Sequence, residues 1–529
     1  MRGYRRLKAD GRLATIADVR EMLTNTPLTG VPGRASALIF GAALSNAELA
    51  VRQYLLIRVA LGTLNKALLC SLGRPEGMAV HPLPREWRAV VGQRGFRVRR
   101  IRAALVWQAY IVTLWGYGVV SIGRRVLESL RSMSGPPGRR LGRYAYFDRI
   151  TARNLPQPGA DGRSHDIVTW YAQWPGRVSP LDTLCHNVQG AAPSAAMGLP
   201  VLAMPSPIPP RMSPGGLCRY MGWGVAATAL AAFDILRGRW WHALLLSEAS
   251  IAVGARAHAP AELARDYLIH NSGWIYRPLW TYEAERAGSR VTFYFYSTNC
   301  ETFKRPDGYP VQANSWQVTN WPLYVVWDEH QAGFVRRAAG RRANVQVAGP
   351  IWFATTALEM PSVPTRSVAV FDVQPWRDAG YASLGLADEY YTPVTVNHFL
   401  LDICGAIQRR GGVMVLKRKR KIGHWLHPRY IALVEQLERQ EHFLAVDPDL
   451  AAVRVIERCQ AVISLPFTST ALLGRALGKP SIYYDPHGIV QKDDRAAHGI
   501  PIVTGMDELN AWMAAHLGPP ANVVEPVTT

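Results

Sequence analysis

Cysteine is scarce in this sequence, and no two cysteines form a CxxC pair. Six occur among 529 residues, at Cys70, Cys185, Cys218, Cys300, Cys404 and Cys459. This scatter argues against a disulfide framework and against a cysteine zinc site. The N-terminal segment MRGYRRLKADGR also lacks the apolar run that follows the charged part of a secretory signal peptide. We therefore predict a chain that stays in the reducing cytoplasm.

Acidic residues are few relative to basic ones. The 39 Asp and Glu face 60 Lys and Arg, which gives a formal net charge of +21. Such an excess favours an anionic partner, which could be nucleic acid, anionic lipid or a phosphorylated substrate. The sequence lacks zinc-finger, RNP and basic-zipper patterns, so we expect no nucleic acid. Lipid and substrate remain, and we predict a protein peripheral to the inner face of the cell membrane.

Long uncharged runs are rare, and the clearest one is Ala103 to Gly123, which has arginines on both sides. A membrane span needs roughly 20 apolar residues, so the length is sufficient. Polar residues such as Gln108 dilute the run, and two basic flanks give no orientation. Three interpretations stay open: a spanning helix, an interfacial or re-entrant helix, and a buried soluble helix.

A second apolar region covers residues 221–257. There Trp240 and Trp241 follow Arg237 and Arg239, a mixture that is typical of helices at the headgroup boundary. The alternative is a helical hairpin packed on its own domain.

The length predicts more than one core, since single cores stop growing at roughly 250 to 300 residues. Residues 1–142 are predicted to form a basic helical region that associates with a membrane. Residues 143–350 are predicted as one α/β unit with a helical insertion at 221–257, and 366–529 as a second. Strands are expected at Asp166 to Trp170 and at Pro200 to Ala203, and the alternation of strands and helices after 366 predicts a parallel doubly wound sheet.

The strongest local signal is the segment SLPFTST, Ser464 to Thr470. An apolar strand ends at Leu465, Pro466 forces a turn, and three hydroxyl side chains stand where the next helix begins, at Thr468, Ser469 and Thr470. A helix N-terminus with extra hydroxyl donors suits an anion such as a phosphate. The alternative is that one of these hydroxyls only caps the helix.

Basic residues follow an earlier strand of the same unit. The strand Val413 to Leu416 leads into the cluster Lys417 to Lys421, in which Lys417, Lys419 and Arg420 are candidate phosphate ligands. Lys417 and Lys419 would share a face if the strand continued. A charge run of this kind is otherwise a solvated surface. The dipeptide His427-Pro428 comes next.

A strand in the first α/β unit, Leu323 to Trp327, ends in the acidic pair Asp328 and Glu329, which His330 follows. Carboxylates at a strand end can serve as general bases, and so can histidine. The alternative is a pair of surface carboxylates.

An acidic pair, then His-Pro, then a Ser/Thr pair is a series that resembles bacterial sialyltransferases of the two-Rossmann-domain (GT-B) type. The wider similarity is to polysaccharide biosynthesis proteins named for a PFTS motif, here Pro466 to Ser469, and to Kdo-transferase-like enzymes. It covers roughly residues 266–504 and is carried by NSGWIYRPLWTYEAERAGSRVTFYFYSTN, VAVFDVQP and SLPFTSTALLGRALGKPSIYYDP.

This resemblance implies an α/β fold with two Rossmann-like domains of the GT-B type. The first domain would bind the acceptor and the second a nucleotide sugar. Asp328 or Glu329 would be the catalytic base, His427 a phosphate contact, and Ser469 with Thr470 phosphate donors. The family has Gly after its acidic pair, whereas His330 stands there in this chain, and His330 could itself be the base.

The function that the resemblance implies is transfer of a CMP-activated ulosonic acid, of sialic, pseudaminic or Kdo type, to a surface polysaccharide or lipid-linked precursor. A teichoic-acid-type CDP-polyol phosphotransferase is the first alternative, although its usual Asp before the hydroxyl pair is replaced by Pro466 and Phe467. A non-catalytic polysaccharide assembly protein is the second.

We expect no metal and no other cofactor. The segment Asp447 to Asp449 matches a DxD metal motif, but a helix cap followed by a proline would also explain it.

Overall fold

Two β-sheets organise the chain, and each is built almost entirely from parallel strands separated by helices. The computed structural model describes residues 7, 10–12, 14–28, 34–72, 81–134, 141–156, 166–271, 276–298, 300–310, 314–351, 358–377, 390–419, 421, 423 and 426–518.

The first sheet contains eight strands: β1 Tyr144–Phe147, β2 Thr183–His186, β3 Ser194–Ala196, β4 Leu199–Ala203, β5 Asp266–His270, β6 Arg290–Tyr294, β7 Leu323–Val326 and β8 Val345–Val347. Their order is β3-β4-β2-β1-β5-β6-β7-β8, and only β3 runs antiparallel to its neighbour. The chain builds outward from β1 on one side and then crosses to β5 on the other. Open α/β sheets bind ligands at such a switch point, beside the carboxyl ends of the strands.

The second sheet contains six parallel strands: β9 Ser367–Phe371, β10 Val413–Lys417, β11 Phe443–Val446, β12 Ala461–Ser464, β13 Ser481–Asp485 and β14 Ile502–Thr504. Their order is β11-β10-β9-β12-β13-β14, so the switch point lies between β9 and β12. The residues of β9 and β12 are all buried, because helices cover both faces of a parallel sheet.

Helices cover the sheets and form most of the N-terminal region. They are α1 Ala14–Asn25, α2 Ala37–Phe40, α3 Ala47–Tyr54, α4 Asn65–Leu72, α5 Arg85–Gln93, α6 Arg100–Ser134, α7 Ile167–Gln173, α8 Pro214–Leu236, α9 Trp241–Arg256, α10 Leu279–Arg286, α11 Asn314–Gln317, α12 Glu329–Ala339, α13 Pro393–Gln408, α14 Pro428–Leu437, α15 Ala452–Arg458, α16 Ser469–Ala476 and α17 Gly505–Leu517. A π-helical segment, Leu55–Leu64, joins α3 to α4. Short 3₁₀ turns occur at Arg34–Ser36, Gly41–Asn46, Ala152–Asn154, Pro260–Glu262 and Arg495–Ala497.

Helices α6, α8 and α9 pack together beside the first sheet. The indole Nε1 of Trp115 in α6 donates to the carbonyl of Thr228 in α8 at 3.2 Å. At Gly118 of α6 an added Cβ would lie 2.7 Å from the side chain of Leu246 in α9, so glycine permits this close approach. Helices α8 and α9 form a hairpin, as the alternative interpretation of residues 221–257 predicts, and α9 is largely buried.

Within the described residues, one helix is long and apolar enough to cross a membrane, and it is α6. The helical stretches over 37–60 and 65–72, bent by 51°, would pass the same test as a pair. Only 22% of the apolar window of α6 is buried. The interpretation of this run as a buried soluble helix is therefore wrong.

The predicted strand at Asp166 to Trp170 is wrong, because this segment begins helix α7. Asp166 caps that helix, and its Oδ1 accepts from the Thr169 N–H at 2.8 Å. An apolar run buried on all sides has no periodicity that separates helix from strand. The predicted fold class is confirmed as α/β with two Rossmann-like sheets after an N-terminal helical region, whereas membrane association and the domain limits stay predictions.

Candidate functional site

The PFTS turn joins β12 to α16 at the switch point of the second sheet. Phe467 takes a positive φ of 65°, which turns the chain sharply into the helix. Thr468 is the N-cap residue, but its side chain makes no capping hydrogen bond and instead donates to the Leu465 carbonyl at 3.0 Å. The capping alternative is therefore wrong for Thr468, and no N-cap side chain occupies the first-turn N–H groups of α16.

The hydroxyls beside this turn have defined partners. Thr470 Oγ1 lies 2.8 Å from Ser464 Oγ and 3.2 Å from Thr468 Oγ1. Ser469 Oγ accepts from the Thr298 N–H at 3.0 Å and lies 3.1 Å from Thr298 Oγ1. Thr298 follows β6, so Ser469 contacts the carboxyl edge of the first sheet. The two sheets thus meet at the PFTS turn.

The backbone of the turn is held by tyrosines. The hydroxyl of Tyr391 donates to the Pro466 carbonyl at 2.9 Å, and that of Tyr483 donates to the Thr468 carbonyl at 2.8 Å. The ring of Phe467 packs 4.8 Å from that of Phe303, which belongs to the first unit. These contacts fix the orientation of the α16 N-terminus.

The cation cluster begins at the same sheet edge. Lys417 ends β10, is half-buried, and its Nζ donates to the Arg418 carbonyl at 3.2 Å and to the Pro448 carbonyl at 3.1 Å. Burial lowers the pKa of Lys417 to about 8, against the opposing charges of Asp372 and Asp449. Because β10 stops at Lys417, the shared strand face that we expected with Lys419 is wrong, and Lys419 is exposed. The predicted ligand Arg420 lies outside the described residues.

The DPD segment does not cap a helix, and that part of the sequence reading is wrong. Helix α15 begins at Ala452, and its N-cap is Ala451. Asp447 Oδ1 accepts from the Asp449 N–H at 2.7 Å. The Asp449 carboxylate pairs with Lys421 at 3.0 Å and with Arg153, from the loop after β1, at 2.8 Å. The segment therefore forms an ionic contact between the two units.

His427 lies at the start of α14 and contacts the segment that follows β9. It is the N-cap residue of α14, where its Nδ1 accepts from the Arg429 N–H at 3.3 Å, and its own N–H donates to the Pro375 carbonyl at 3.1 Å. Pro375 follows β9, and so does the buried Asp372, whose pKa burial raises to about 6. His427 thus lies beside the exit of β9, the strand next to the PFTS turn, and Lys417 lies at the exit of β10, one strand further along the sheet.

Asp328 lies opposite, at the exit of β7 in the first sheet. It caps α12 by accepting from the Gln331 N–H at 2.9 Å. His498 Nδ1 lies 2.8 Å from each of its carboxylate oxygens, and an Arg475 nitrogen lies 3.8 Å away. Burial disfavours the charged carboxylate, but the His498 bond, its charge and the Gln331 N–H outweigh burial, so the pKa of Asp328 lies below its ordinary value.

The two residues after Asp328 are both exposed and make different contacts. Glu329 is exposed and pairs with Arg336 at 3.4 Å. His330 is exposed, and its ring lies 5.5 Å from that of His498. The choice of base among Asp328, Glu329 and His330 stays a prediction. Sequence reasoning missed Thr298, Arg475 and His498, which carry no motif and meet these residues only through tertiary structure.

In the part of the chain that the structure describes, no group of three or more His, Cys, Asp or Glu side chains could hold a metal ion. Independence from metals stays an expectation.

Several solved structures share the general architecture. The UDP-GlcNAc 2-epimerase from Methanocaldococcus jannaschii matches with 8% identity and a TM-score of 0.38, over 72% of this chain and 94% of that one. An Os79 variant from O. sativa in complex with UDP matches with 12% identity and a TM-score of 0.35, over 71% and 91%. The glycotransferase of kitacinnamycin matches with 10% identity and a TM-score of 0.34, over 72% and 92%. Likeness at this level carries no argument about chemistry.

No curated protein matches the sequence. A family model does match, over residues 225–513, and its description is polysaccharide biosynthesis PFTS motif protein. The matched range is more than half of the chain and contains Asp328, His427 and the PFTS turn. It includes the switch point of the second sheet and, of the two strands at the switch point of the first sheet, only β5. The chain therefore belongs to the polysaccharide biosynthesis PFTS motif family.

Proposed function

We propose that this protein is a glycosyltransferase that moves a sugar from a nucleotide donor to a polysaccharide or its lipid-linked precursor. One observation carries the proposal: the N-terminus of α16 lacks a side-chain cap and lies at the switch point of a parallel sheet, facing the carboxyl edge of a second sheet. An anionic ligand at that position would accept from backbone N–H groups and from hydroxyls, and the helix dipole would favour its charge.

The donor phosphate is the group that suits this position. Ser469 and Thr470 offer hydroxyls, and Lys417 brings a half-buried cation to a nearby strand exit. Negative charge builds on the leaving phosphate as the bond to the sugar breaks, so fixed donors there lower the barrier. This arrangement stabilises the leaving group without a bound metal.

For the donor we propose a CMP-activated ulosonic acid, on the basis of the family resemblance. Such a donor has a phosphate and a sugar carboxylate, and both are anions. The basic balance of the chain, +21, agrees with a substrate that carries two negative groups.

We also propose that the protein works at an anionic membrane surface. Helices α6 and α8 expose apolar side chains along a common side, which we call the α6–α8 face: Ile101, Leu105, Val112, Tyr117, Val120, Leu127, Leu130, Met221, Val225, Phe233 and Leu236. Exposed arginines flank it, namely Arg102, Arg124, Arg131, Arg219, Arg237 and Arg239. The carboxylates of the two helices are already paired: Glu128 with Arg124, and buried Asp234 with His242. An apolar face with basic flanks binds the interface of anionic lipids.

The donor assignment is tested by thermal unfolding in the presence of CMP, CDP, UDP and GDP, followed by assay of CMP-sugars for released CMP. A ligand at 100 times its Kd stabilises the folded state by about 2.7 kcal/mol. We expect CMP to raise the unfolding temperature most, and transfer to release CMP in step with loss of the sugar donor. Stabilisation by UDP alone would contradict the CMP assignment, and glycerol phosphate transfer would overturn glycosyl transfer.

A further inference from the structure

A second set of reactive side chains lies at the switch point of the first sheet. Asp148 directly follows β1, and its N–H donates to the Leu268 carbonyl of β5 at 2.9 Å. Its side chain is 12% exposed. The next residue, Arg149, has a positive φ of 56° and pairs with Asp148 at 3.6 Å. A buried carboxylate and a strained non-glycine residue at a switch point are features that functional sites share.

Glu248 of α9 interacts electrostatically with this carboxylate. Burial raises the pKa of Glu248 to about 7, the charges of Arg58 and Arg149 oppose the shift, and the charge of Asp148 adds to it. Burial likewise raises the pKa of Asp148 to about 6, against Arg149. Glu248 keeps partial solvent access, so it borders an accessible space and does not lie in the closed core.

A buried tyrosine hydroxyl also lacks a partner here. The side chain of Tyr294, the last residue of β6, is 0% exposed, and its Oη has no hydrogen-bond partner among the described residues. Burial raises the pKa of Tyr294, and the charges of Tyr296 and Asp148 add to this shift, so Tyr294 and Asp148 are close enough to interact. Leaving a buried hydroxyl unpaired is destabilising, and a ligand hydroxyl would supply the missing bond.

A purely structural carboxylate on the same sheet looks different. Asp266, at the amino end of β5, accepts from Tyr171 at 2.7 Å and from Thr292 at 2.8 Å and also pairs with Arg290. Asp148 has only its neighbour Arg149 as a donor among the described residues. Its oxygens therefore retain accepting capacity that a structural carboxylate would have used.

The position of Asp148 relates it to the proposed donor site. The loop after β1 reaches the second unit through Arg153 and Asp449, and β6, two strands away, reaches it through Thr298 and Ser469. Neighbouring strands lie about 4.8 Å apart, so Asp148 is roughly 10 Å along the sheet edge from the β6 exit. Asp148 therefore lies at the same edge of the first sheet as Thr298, which contacts the α16 N-terminus through Ser469.

We propose that Asp148 and Glu248 form the acceptor site and that Asp148 takes the proton of the acceptor hydroxyl. This rests on the proposed glycosyl transfer. The hydroxyl oxygen forms a bond to the anomeric carbon, the bond from that carbon to the phosphate oxygen breaks, and its electron pair leaves with the nucleotide phosphate. The proton moves to the Asp148 carboxylate. Glu248, protonated for part of the time near neutral pH, donates a hydrogen bond that orients the acceptor.

The acceptor class follows from the surroundings. Tyr54 interacts with Glu248 and with two tyrosines of α6, Tyr110 and Tyr117. Tyr117 belongs to the α6–α8 face and is largely exposed. Aromatic side chains are therefore grouped near Glu248, and Tyr117 among them belongs to the α6–α8 face. Aromatic rings suit the apolar faces of sugars and alkyl chains, so the site fits a sugar that carries a lipid tail.

The pocket is tested without a donor by labelling with dicyclohexylcarbodiimide, an apolar reagent that adds to protonated carboxyl groups. In the full-length protein at about pH 6, where both carboxyls are partly protonated, peptide mass spectrometry should find the adduct on Asp148 or Glu248. Octyl glucoside below its micellar concentration should reduce this labelling several-fold, whereas octanol should not. Asp266, which is buried and paired, serves as the unlabelled control. No label on either residue, or no protection by the glycoside, would overturn the acceptor site.

The proton transfer is tested by Asp148→Asn, with CMP-N-acetylneuraminic acid as donor and octyl galactoside as acceptor. A general base contributes about 10² to 10⁴-fold, so we expect transfer to fall at least 100-fold. CMP should still raise the unfolding temperature as in the wild type, and that result also shows that the variant folds. Glu248→Gln should raise the acceptor KM more than it lowers kcat and should remove one limb of the pH profile.

The matched control is Asp182→Asn. Asp182 precedes the amino end of β2, at the sheet edge opposite to Asp148, and its exposed carboxylate pairs with Arg143. It should retain transfer. Full activity in Asp148→Asn would sink the proposed role of Asp148. If the wild type binds none of the nucleotides and shows no transfer, the glycosyltransferase proposal fails instead, and the labelling result still decides whether the pocket binds a glycoside.

Discussion

His498 Nδ1 lies 2.8 Å from both carboxylate oxygens of Asp328, and this pair joins the exit of β7 to the second unit. The sequence singled out Asp328 as a base, yet its carboxylate already binds a helix N-terminus and a histidine. Its pKa is lowered, which makes it a weaker base than a carboxylate in an apolar pocket. These contacts favour a role in holding the two units together.

We expect Asp328→Asn to lower the free energy of unfolding by about 1 to 3 kcal/mol, because a charge-assisted bond is lost at a partly buried site. The variant should be compared with His498→Ala and with the double variant in urea unfolding. A coupling energy near zero would contradict the pair. Glu329→Gln is the matched control, since its side chain is 74% exposed and it should change stability little.

Ser469→Ala should weaken nucleotide binding at the PFTS turn. A hydrogen bond to a charged group contributes about 1.5 to 3 kcal/mol, which corresponds to a Kd increase of roughly tenfold or more. Isothermal titration with CMP measures the change. The control is Ser481→Ala, at the amino end of β13, where the hydroxyl donates to the Lys479 carbonyl. Equal Kd values for both variants would remove Ser469 from the donor site.

Stability should depend on pH through Asp148. Its folded pKa of about 6 exceeds the ordinary value of 3.8, so the folded protein holds this proton over an interval in which the unfolded chain releases it. The free energy of unfolding should therefore fall as pH rises from about 4 to about 6, and the cost at neutral pH is on the order of 2 to 3 kcal/mol.

Asp148→Asn removes that cost, so the variant should gain stability over the wild type near neutral pH and show little gain near pH 4. Asp182→Asn should behave oppositely, because the Arg143 bond lowers the pKa of Asp182. Thermal unfolding at a series of pH values measures both. If the unfolding temperatures of Asp148→Asn and the wild type change with pH in parallel, the pKa of Asp148 is not raised by folding.

Val225→Glu should weaken membrane binding. Val225 is 74% exposed on the α6–α8 face, and a carboxylate there opposes both burial in lipid and attraction to anionic headgroups. Flotation with vesicles that contain phosphatidylglycerol measures binding, and high salt should reduce it because each basic residue near the surface contributes about 1 kcal/mol. Ile489→Glu is the control, an exposed apolar position in the second unit. Identical flotation of the two variants would count against this face.

The sequence predicted the second sheet well because its strands are short, apolar and separated by helices of regular length. The segment Ala461 to Leu465 was expected as a strand and is one to Ser464, and the hydroxyls after it do begin a helix. Burial on both faces and a turn at Pro466 are local properties, so local patterns are sufficient.

The first sheet was harder to predict, and so were the contacts between units. Its central strand β1 has only four residues, and the apolar segment after Asp166 gave no periodicity to distinguish helix from strand. The partners of Asp328 and Ser469 come from residues 170 and 171 positions away. Such pairings depend on how the two sheets meet, which no local pattern contains. The same is true of Asp148 and Glu248.

The Thr298 to Ser469 contact means that a backbone amide and a hydroxyl of the protein already bind the Ser469 hydroxyl. If a donor phosphate is to use the Ser469 hydroxyl, it must first displace a threonine that already satisfies it. Nucleotides will then bind more weakly than they would to a helix terminus without this contact, because the binding free energy is reduced by the cost of breaking the Thr298 to Ser469 hydrogen bonds. Donor binding would also break one contact between the two units, and this would ease the entry of the acceptor.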